Sequence, residues 1–171
     1  QCWGQDGEGK VSGAPMGMNF QDLSVGGSAA CAIAQDGSLM CWGDDVDGIL
    51  SNQPMGSAYQ DVAVGATHAC AIAQDGGVEC WGDNTAGQLD MIPADKDFIQ
   101  VGARGAFTCG LRAGGAITCW GADIAQVVSS APSDTGYTKL GVGNDAACAI
   151  HPTNGLSCWG SDSFGLISNA P

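Results

Sequence analysis

Nine cysteines carry the most chemistry in this 171-residue chain, and they lie on two interleaved ladders. Five open a Cys-Trp-Gly tripeptide, at Cys2, Cys41, Cys80, Cys119 and Cys158, each 39 residues after the last. Four more, Cys31, Cys70, Cys109 and Cys148, each stand ten positions ahead of one of these. Thiols in that pattern can form disulfides, hold a metal, or stay reduced and buried. Short apolar runs flank Gln35-Asp36-Gly37, Gln74-Asp75-Gly76 and Ala113-Gly114-Gly115, which reads as a hairpin each time. A three-residue loop ending in Gly suits a type I turn followed by a left-handed bulge residue. That loop pairs Ile33 with Leu39 and Ala32 with Met40, and it sets Cys31 opposite Cys41. Opposed residues of a non-hydrogen-bonded antiparallel pair have Cβ atoms within disulfide reach. The same register pairs Cys70 with Cys80, Cys109 with Cys119, and Cys148 with Cys158, with Asn154 expected at the left-handed position of the last loop.

Structural zinc draws four ligands from closely spaced cysteine pairs, and one hairpin supplies two thiols, so disulfides are the first expectation. Each would close a loop of about ten residues and stabilise the fold by about 2–3 kcal/mol. Such staples belong to an oxidising compartment: extracellular, cell surface or periplasmic. Cys2 has no hairpin mate, so it is expected unpaired or bonded between chains.

Other chemistry is sparse. The histidines are His68 and His151, and no catalytic set surrounds either. Gly26-Gly-Ser-Ala-Ala30 lacks the nucleophile-elbow pattern, and no Gly pair leads into Lys-Ser/Thr. A non-enzyme is expected. Asp44, Asp45 and Asp47 gather hard oxygens in a Gly-containing loop, a set that would suit calcium. The equivalent loops do not keep the set and no distal Glu follows, so a solvated loop without cofactor is the expectation and calcium the alternative.

The elements that must position these residues follow from the period. Pro15, Pro54, Pro93 and Pro132 keep the 39-residue phase, as do Phe20, Tyr59, Phe98 and Tyr137. Each unit holds three or four short strands, which matches a propeller blade. The fold class is therefore all-β, built as β-propeller blades within one repeat domain. Residues 1–15 form a partial blade, followed by repeats at about 16–54, 55–93, 94–132 and 133–171. Residues 1–15 share their phase with 157–171, which points to an incomplete ring or part of a larger propeller or assembly. Trp3, Trp42, Trp81, Trp120 and Trp159 share one repeat position and are expected in the core. Twenty-eight glycines agree with a turn-rich chain, and a net charge of −13 with five basic residues disfavours nucleic acid. No apolar run is long enough for a membrane span.

Val62-Ala-Val-Gly-Ala-Thr-His-Ala-Cys-Ala-Ile-Ala-Gln-Asp-Gly-Gly-Val-Glu-Cys-Trp-Gly-Asp-Asn-Thr-Ala-Gly-Gln-Leu89 resembles the repeat of the regulator of chromosome condensation family. The matching elements are Val-x-x-Gly-x-x-His, Asp-Gly, Trp-Gly-x-Asn and Gly-Gln-Leu. His68 gives way to Ala29, Phe107 and Ala146 in the other units, and Gly87 to Gln126 in the fourth connecting segment. The resemblance implies a seven-bladed propeller with a structural role for His68. Family members divide by surface into nucleotide exchange on chromatin, enzyme inhibition by a secreted protein, and ultraviolet sensing by clustered tryptophans. The acidity and expected disulfides fit the chromatin role poorly.

Hairpins repeat closely, whereas residues 44–61, 83–100 and 122–139 diverge at constant length, so a partner would be read there. Asp44, Asp47, Met55, Met91 and Ile92 are the candidate binding residues, with Met16 and Met18 offering further apolar contact. The expected function is a non-catalytic scaffold outside the cytoplasm that recognises a protein or glycan through variable blade loops. Two alternatives stand beside it: a secreted enzyme inhibitor, and a structural subunit assembling through open edges and Cys2.

Overall fold

The computed structural model describes residues 2–17, 19–56, 58–162, 165 and 167–168; Met18 lies outside them. These residues form four three-stranded antiparallel sheets. Blade 1 holds β1 (Phe20–Val25), β2 (Ala29–Ala34) and β3 (Leu39–Gly43). Blade 2 holds β4 (Tyr59–Val64), β5 (His68–Ala73) and β6 (Val78–Gly82). Blade 3 holds β7 (Phe98–Arg104), β8 (Phe107–Arg112) and β9 (Ile117–Gly121). Blade 4 holds β10 (Lys139–Val142), β11 (Ala146–His151) and β12 (Gly155–Gly160). Each unit thus has three strands among the described residues. No described helix is long and apolar enough to cross a membrane.

The hairpin loops set the pairing. Cys31 faces Cys41, Ile33 faces Leu39, and the three later cysteine pairs are opposed in the same way. Four disulfides close these positions, with Cα atoms 4.0–4.1 Å apart. Gly37 shows why the loop must end in glycine. It sits at φ +83°, and a Cβ there would lie 2.9 Å from the Ala58 Cβ. The fourth loop departs from expectation. His151 pairs with Gly155, and Gly155 rather than Asn154 takes the left-handed conformation, at φ +80°. A glycine one place further on adopts that backbone without steric cost, which relieves Asn154 of it.

The first strands of successive blades, β1, β4, β7 and β10, lie side by side around an axis. Side chains reach across to the next blade's backbone there. An oxygen of Asp22 accepts from the Val62 amide at 2.8 Å, and one of Asp61 accepts from the Val101 amide at 2.5 Å. The Gln100 amide both donates to the Leu140 carbonyl and accepts from its N–H. Apolar cores fill the spaces between blades: Ile33, Leu39, Tyr59 and Trp81 between the first two, Ile72, Phe98 and Trp120 between the next, and Leu111, Tyr137, Leu140 and Trp159 beyond.

Four tryptophans are buried as expected; Trp3 is not. The indoles of Trp42, Trp81 and Trp159 donate to the carbonyls of Lys10, Ile49 and Val127. Each ties a connecting segment to the blade that follows it. Trp3 occupies the same repeat position and is 85% exposed.

Candidate functional site

Each connecting segment starts at one end of its blade and finishes at the other. After β3 the chain stays near the β1–β2 loop, where the Asp44 amide donates to the Ser28 carbonyl at 2.9 Å and Ser28 Oγ donates to Asp47 at 3.1 Å. Asp45 Oδ1 accepts from the amides of Leu50 and Ser51, at 2.7 and 3.0 Å. Those donors hold its carboxyl below the usual carboxylate range, led by Ser51. Asp6, Asp123 and Asp162 make the same pair of bonds to residues five and six places on. Asn84 Oδ1 accepts from Leu89 in that position. The device repeats every 39 residues, a signal present in the sequence, and it marks Asp45 as loop framework. Among the described residues no three carboxylate, imidazole or thiol groups converge as a cation site.

The segment then crosses to the opposite end, where the β2–β3 turn lies. The Tyr59 amide donates to the Gly37 carbonyl at 2.9 Å, which docks the chain entering β4 against that turn. A groove opens between them, walled by Leu39, Pro54 and Met55, with Asp36 on its rim. One blade on, the same groove recurs between Val78 and Pro93. There Lys96 pairs with Asp75 at 2.5 Å, and Glu79 accepts from the Tyr59 hydroxyl at 2.7 Å. Two grooves of one design therefore lie in succession on one face, with different side chains in each.

This geometry separates the candidate residues. Met55 is exposed in the first groove, whereas Asp44 and Asp47 belong to the other end of the blade. Met91 is exposed, with a left-handed backbone at φ 60°. Ile92 turns inward instead and packs with Val78 and Cys80 against the core between blades 2 and 3. Its counterpart Gln53 is also directed inward and accepts from the Cys41 amide at 3.1 Å. Asp36, Leu39 and Glu79 were missed because they sit in hairpins, which vary least between repeats.

Both histidines are fittings of the scaffold. His68 is fully buried, with Nε2 2.8 Å from the Thr108 hydroxyl of the next blade, and burial pushes it down to about 4. A Cβ on Gly65 would lie 2.8 Å from His68 Nδ1, so the Gly and His of Val-x-x-Gly-x-x-His pack as one unit. His151 caps its turn. Its Nδ1 accepts from the Asn154 amide at 3.2 Å while Nε2 donates to the Thr135 carbonyl. Tyr137 meets the same ring edge-on. Asp61 is pushed up to about 7, chiefly by burial and further by the neighbouring Asp22 carboxylate.

These features define a β-propeller repeat protein whose described blades form part of a ring. The sequence profile of the regulator of chromosome condensation (RCC1) repeat matches residues 20–49 and 59–88. The match covers the repeats of blades 1 and 2. It is similar to the CRINKLY WD40 ectodomain of the Arabidopsis thaliana receptor kinase ACR4, at TM-score 0.70 and 29% identity over 81% of this chain and 49% of that one. It is similar too to the ectodomain of the Physcomitrella patens receptor kinase CR4, at TM-score 0.75 and 26% identity over 88% of this chain and 44% of that one. Prp20p of Saccharomyces cerevisiae shares the fold at TM-score 0.66 and 18% identity, over 84% of this chain and 44% of that one. The chain spans less than half the length of each. Comparison with curated protein sequences found no match.

Proposed function

We propose that the chain is a non-catalytic, protein-binding propeller scaffold that works outside the cytoplasm. The observation that carries this reading is the pair of repeat-equivalent grooves at Met55 and Lys96, which differ in side chains on an otherwise constant frame. An extended segment of a partner would cross both, meeting apolar contact at Met55 and Pro54 and then charge at Asp75, Lys96 and Glu79. Tyr59 lines the first groove but is 1% exposed, so among the described residues neither groove presents an open ring for a sugar to stack on, which favours protein over glycan. Four disulfides and the likeness to two receptor-kinase ectodomains support a place outside the cytoplasm.

The test uses photoreactive side chains at Met55 and Ala94, one in each groove, and at Val46 near the opposite end of blade 1. The reading expects one extracellular protein to crosslink from the groove positions and not from Val46, with Met55→Asp weakening its capture. Adducts from Val46 alone would refute it. Loss of a captured enzyme's activity would narrow the reading to an inhibitor.

A further inference from the structure

Asn154-Gly155 is the only place in the chain where asparagine precedes glycine. It lies in the β11–β12 turn, which departs from its repeat equivalents. Thr153, Asn154 and Gly155 are all exposed. Gly155 is left-handed at φ +80°, and a Cβ built on it would meet nothing within 4 Å. The left-handed glycines of the other three turns are packed instead. A Cβ at Gly37 would lie 2.9 Å from the Ala58 Cβ, at Gly76 2.6 Å from the Lys96 carbonyl oxygen, and at Gly115 2.5 Å from the Gly136 nitrogen. The fourth turn therefore has room about its backbone that the others lack.

A side chain holds this turn. His151 Nδ1 accepts from the amides of Thr153 and Asn154, at 3.3 and 3.2 Å, while Nε2 is anchored at the Thr135 carbonyl. The Thr153 hydroxyl lies 3.0 Å from that Nδ1 and 3.1 Å from Asn154 Oδ1, and donates to one or the other. Donation to Oδ1 polarises the Asn154 carboxamide and makes its Cγ more electrophilic. The aspartates that precede glycine in the equivalent turns differ. Asp36 accepts from the hydroxyl and amide of Ser38, and Asp75 from Lys96 and the Gly77 amide, which holds both carboxyls below the usual range. An ionised carboxylate resists nucleophilic attack. Asn84 precedes Thr85 rather than glycine, and both ends of its amide are bonded, to Asp90 and to the Leu89 N–H.

We infer that Asn154-Gly155 is a self-processing modification site, at which the folded chain converts asparagine to aspartate and isoaspartate. The Gly155 backbone nitrogen attacks Asn154 Cγ. An N–C bond forms as the Cγ–Nδ2 bond breaks, and the Gly155 amide proton leaves with that nitrogen as ammonia. The product is a five-membered imide, and its ring closes without steric conflict because glycine carries no Cβ. Water then adds at either imide carbonyl. One opening gives aspartate, and the other gives isoaspartate, with the backbone rerouted through the former side chain. Water is the only co-reactant and nothing is oxidised or reduced. Each conversion adds a negative charge to blade 4 beside the His151 ring, and the isoaspartyl form lengthens the turn by a methylene.

The experiment incubates the full chain, disulfides intact, in neutral buffer and follows every asparagine by peptide mapping and mass spectrometry. An isoaspartate methyltransferase scores the β-linked product, and a free peptide of residues 149–157 runs in parallel. Asn154 should convert at least about tenfold faster than any other asparagine of the chain, because the attack is intramolecular and unhindered. Its rate in the folded chain should stay within about threefold of the free peptide's, since the turn leaves the ring room to close. Gly155→Ala should slow conversion by about tenfold in the chain, and the same change in the free peptide gives a reading that does not depend on folding. Persistence of the Asn154 amide in the folded chain while the free peptide converts overturns the inference. Conversion spread evenly over the asparagines overturns it too.

Discussion

Replacing Asp61 with Asn should change how stability depends on pH. The carboxyl of Asp61 bridges blades 2 and 3 through the Val101 amide, and burial raises it from 3.8 to about 7. The folded chain therefore favours the protonated form. Its contribution is fully present below pH 3.8 and is lost as pH rises through about 7. Moving the group from 3.8 to about 7 corresponds to about 4 kcal/mol, and partial exposure of the side chain reduces this to roughly 2–4 kcal/mol. His68 runs the other way. Depressed from 6.5 to about 4, its contribution is present above 6.5 and is lost as pH falls towards 4. In the parent chain the two slopes oppose one another between about pH 4 and 6.5. The amide oxygen of Asn still accepts from Val101 but does not titrate. Urea unfolding of parent and Asp61→Asn, disulfides intact and followed by tryptophan fluorescence, isolates the Asp61 contribution, because every other group cancels in the difference. Relative to the parent, the variant should gain about 2–4 kcal/mol between pH 4 and 8, and its own stability should climb between pH 4 and 6.5. If parent and variant keep the same pH profile, the buried inter-blade carboxyl is not the cause.

Three further outcomes follow from the repeat comparison. Removing one staple with Cys31→Ser and Cys41→Ser together should cost about 2–3 kcal/mol in denaturant unfolding, the loop-closure value for ten residues. Gln126 adopts φ 60° where Gly9, Gly48, Gly87 and Gly165 stand in the other segments, so Gln126→Gly should raise thermal stability by about 0.5–1 kcal/mol. Asp45→Ala removes the acceptor for two loop amides and should lower Tm equally with and without calcium. A calcium-dependent rise in Tm of the parent that Asp45→Ala abolishes would instead restore the cation reading.

Much of the fold was legible because its constraints are local. A three-residue loop ending in glycine leaves a hairpin one register, and the cysteines are ten residues apart, so Cys31 and Cys41 oppose each other whatever surrounds them. The repeat of Pro15, Pro54, Pro93 and Pro132 likewise survives without any tertiary information. The candidate site was less legible. Met55 and Asp44 lie close in sequence, but the segment crosses the blade between them, so only Met55 reaches the grooved face. Ile92 reads as another apolar loop residue until the core between blades 2 and 3 closes over it.

Sequence alone determined the blade, its hairpin register and its disulfide pairs, since each depends on contacts within about a dozen residues. Tertiary structure decided which faces those blades present. Asp61 reaches the amide of a residue 40 positions away, and Leu140 is buried against blade 3 while Leu23, in the same phase of the repeat, is exposed. Such properties belong to the stacking of one repeat on the next. Residues in the same phase of the repeat are buried or exposed according to whether another blade stands beside them.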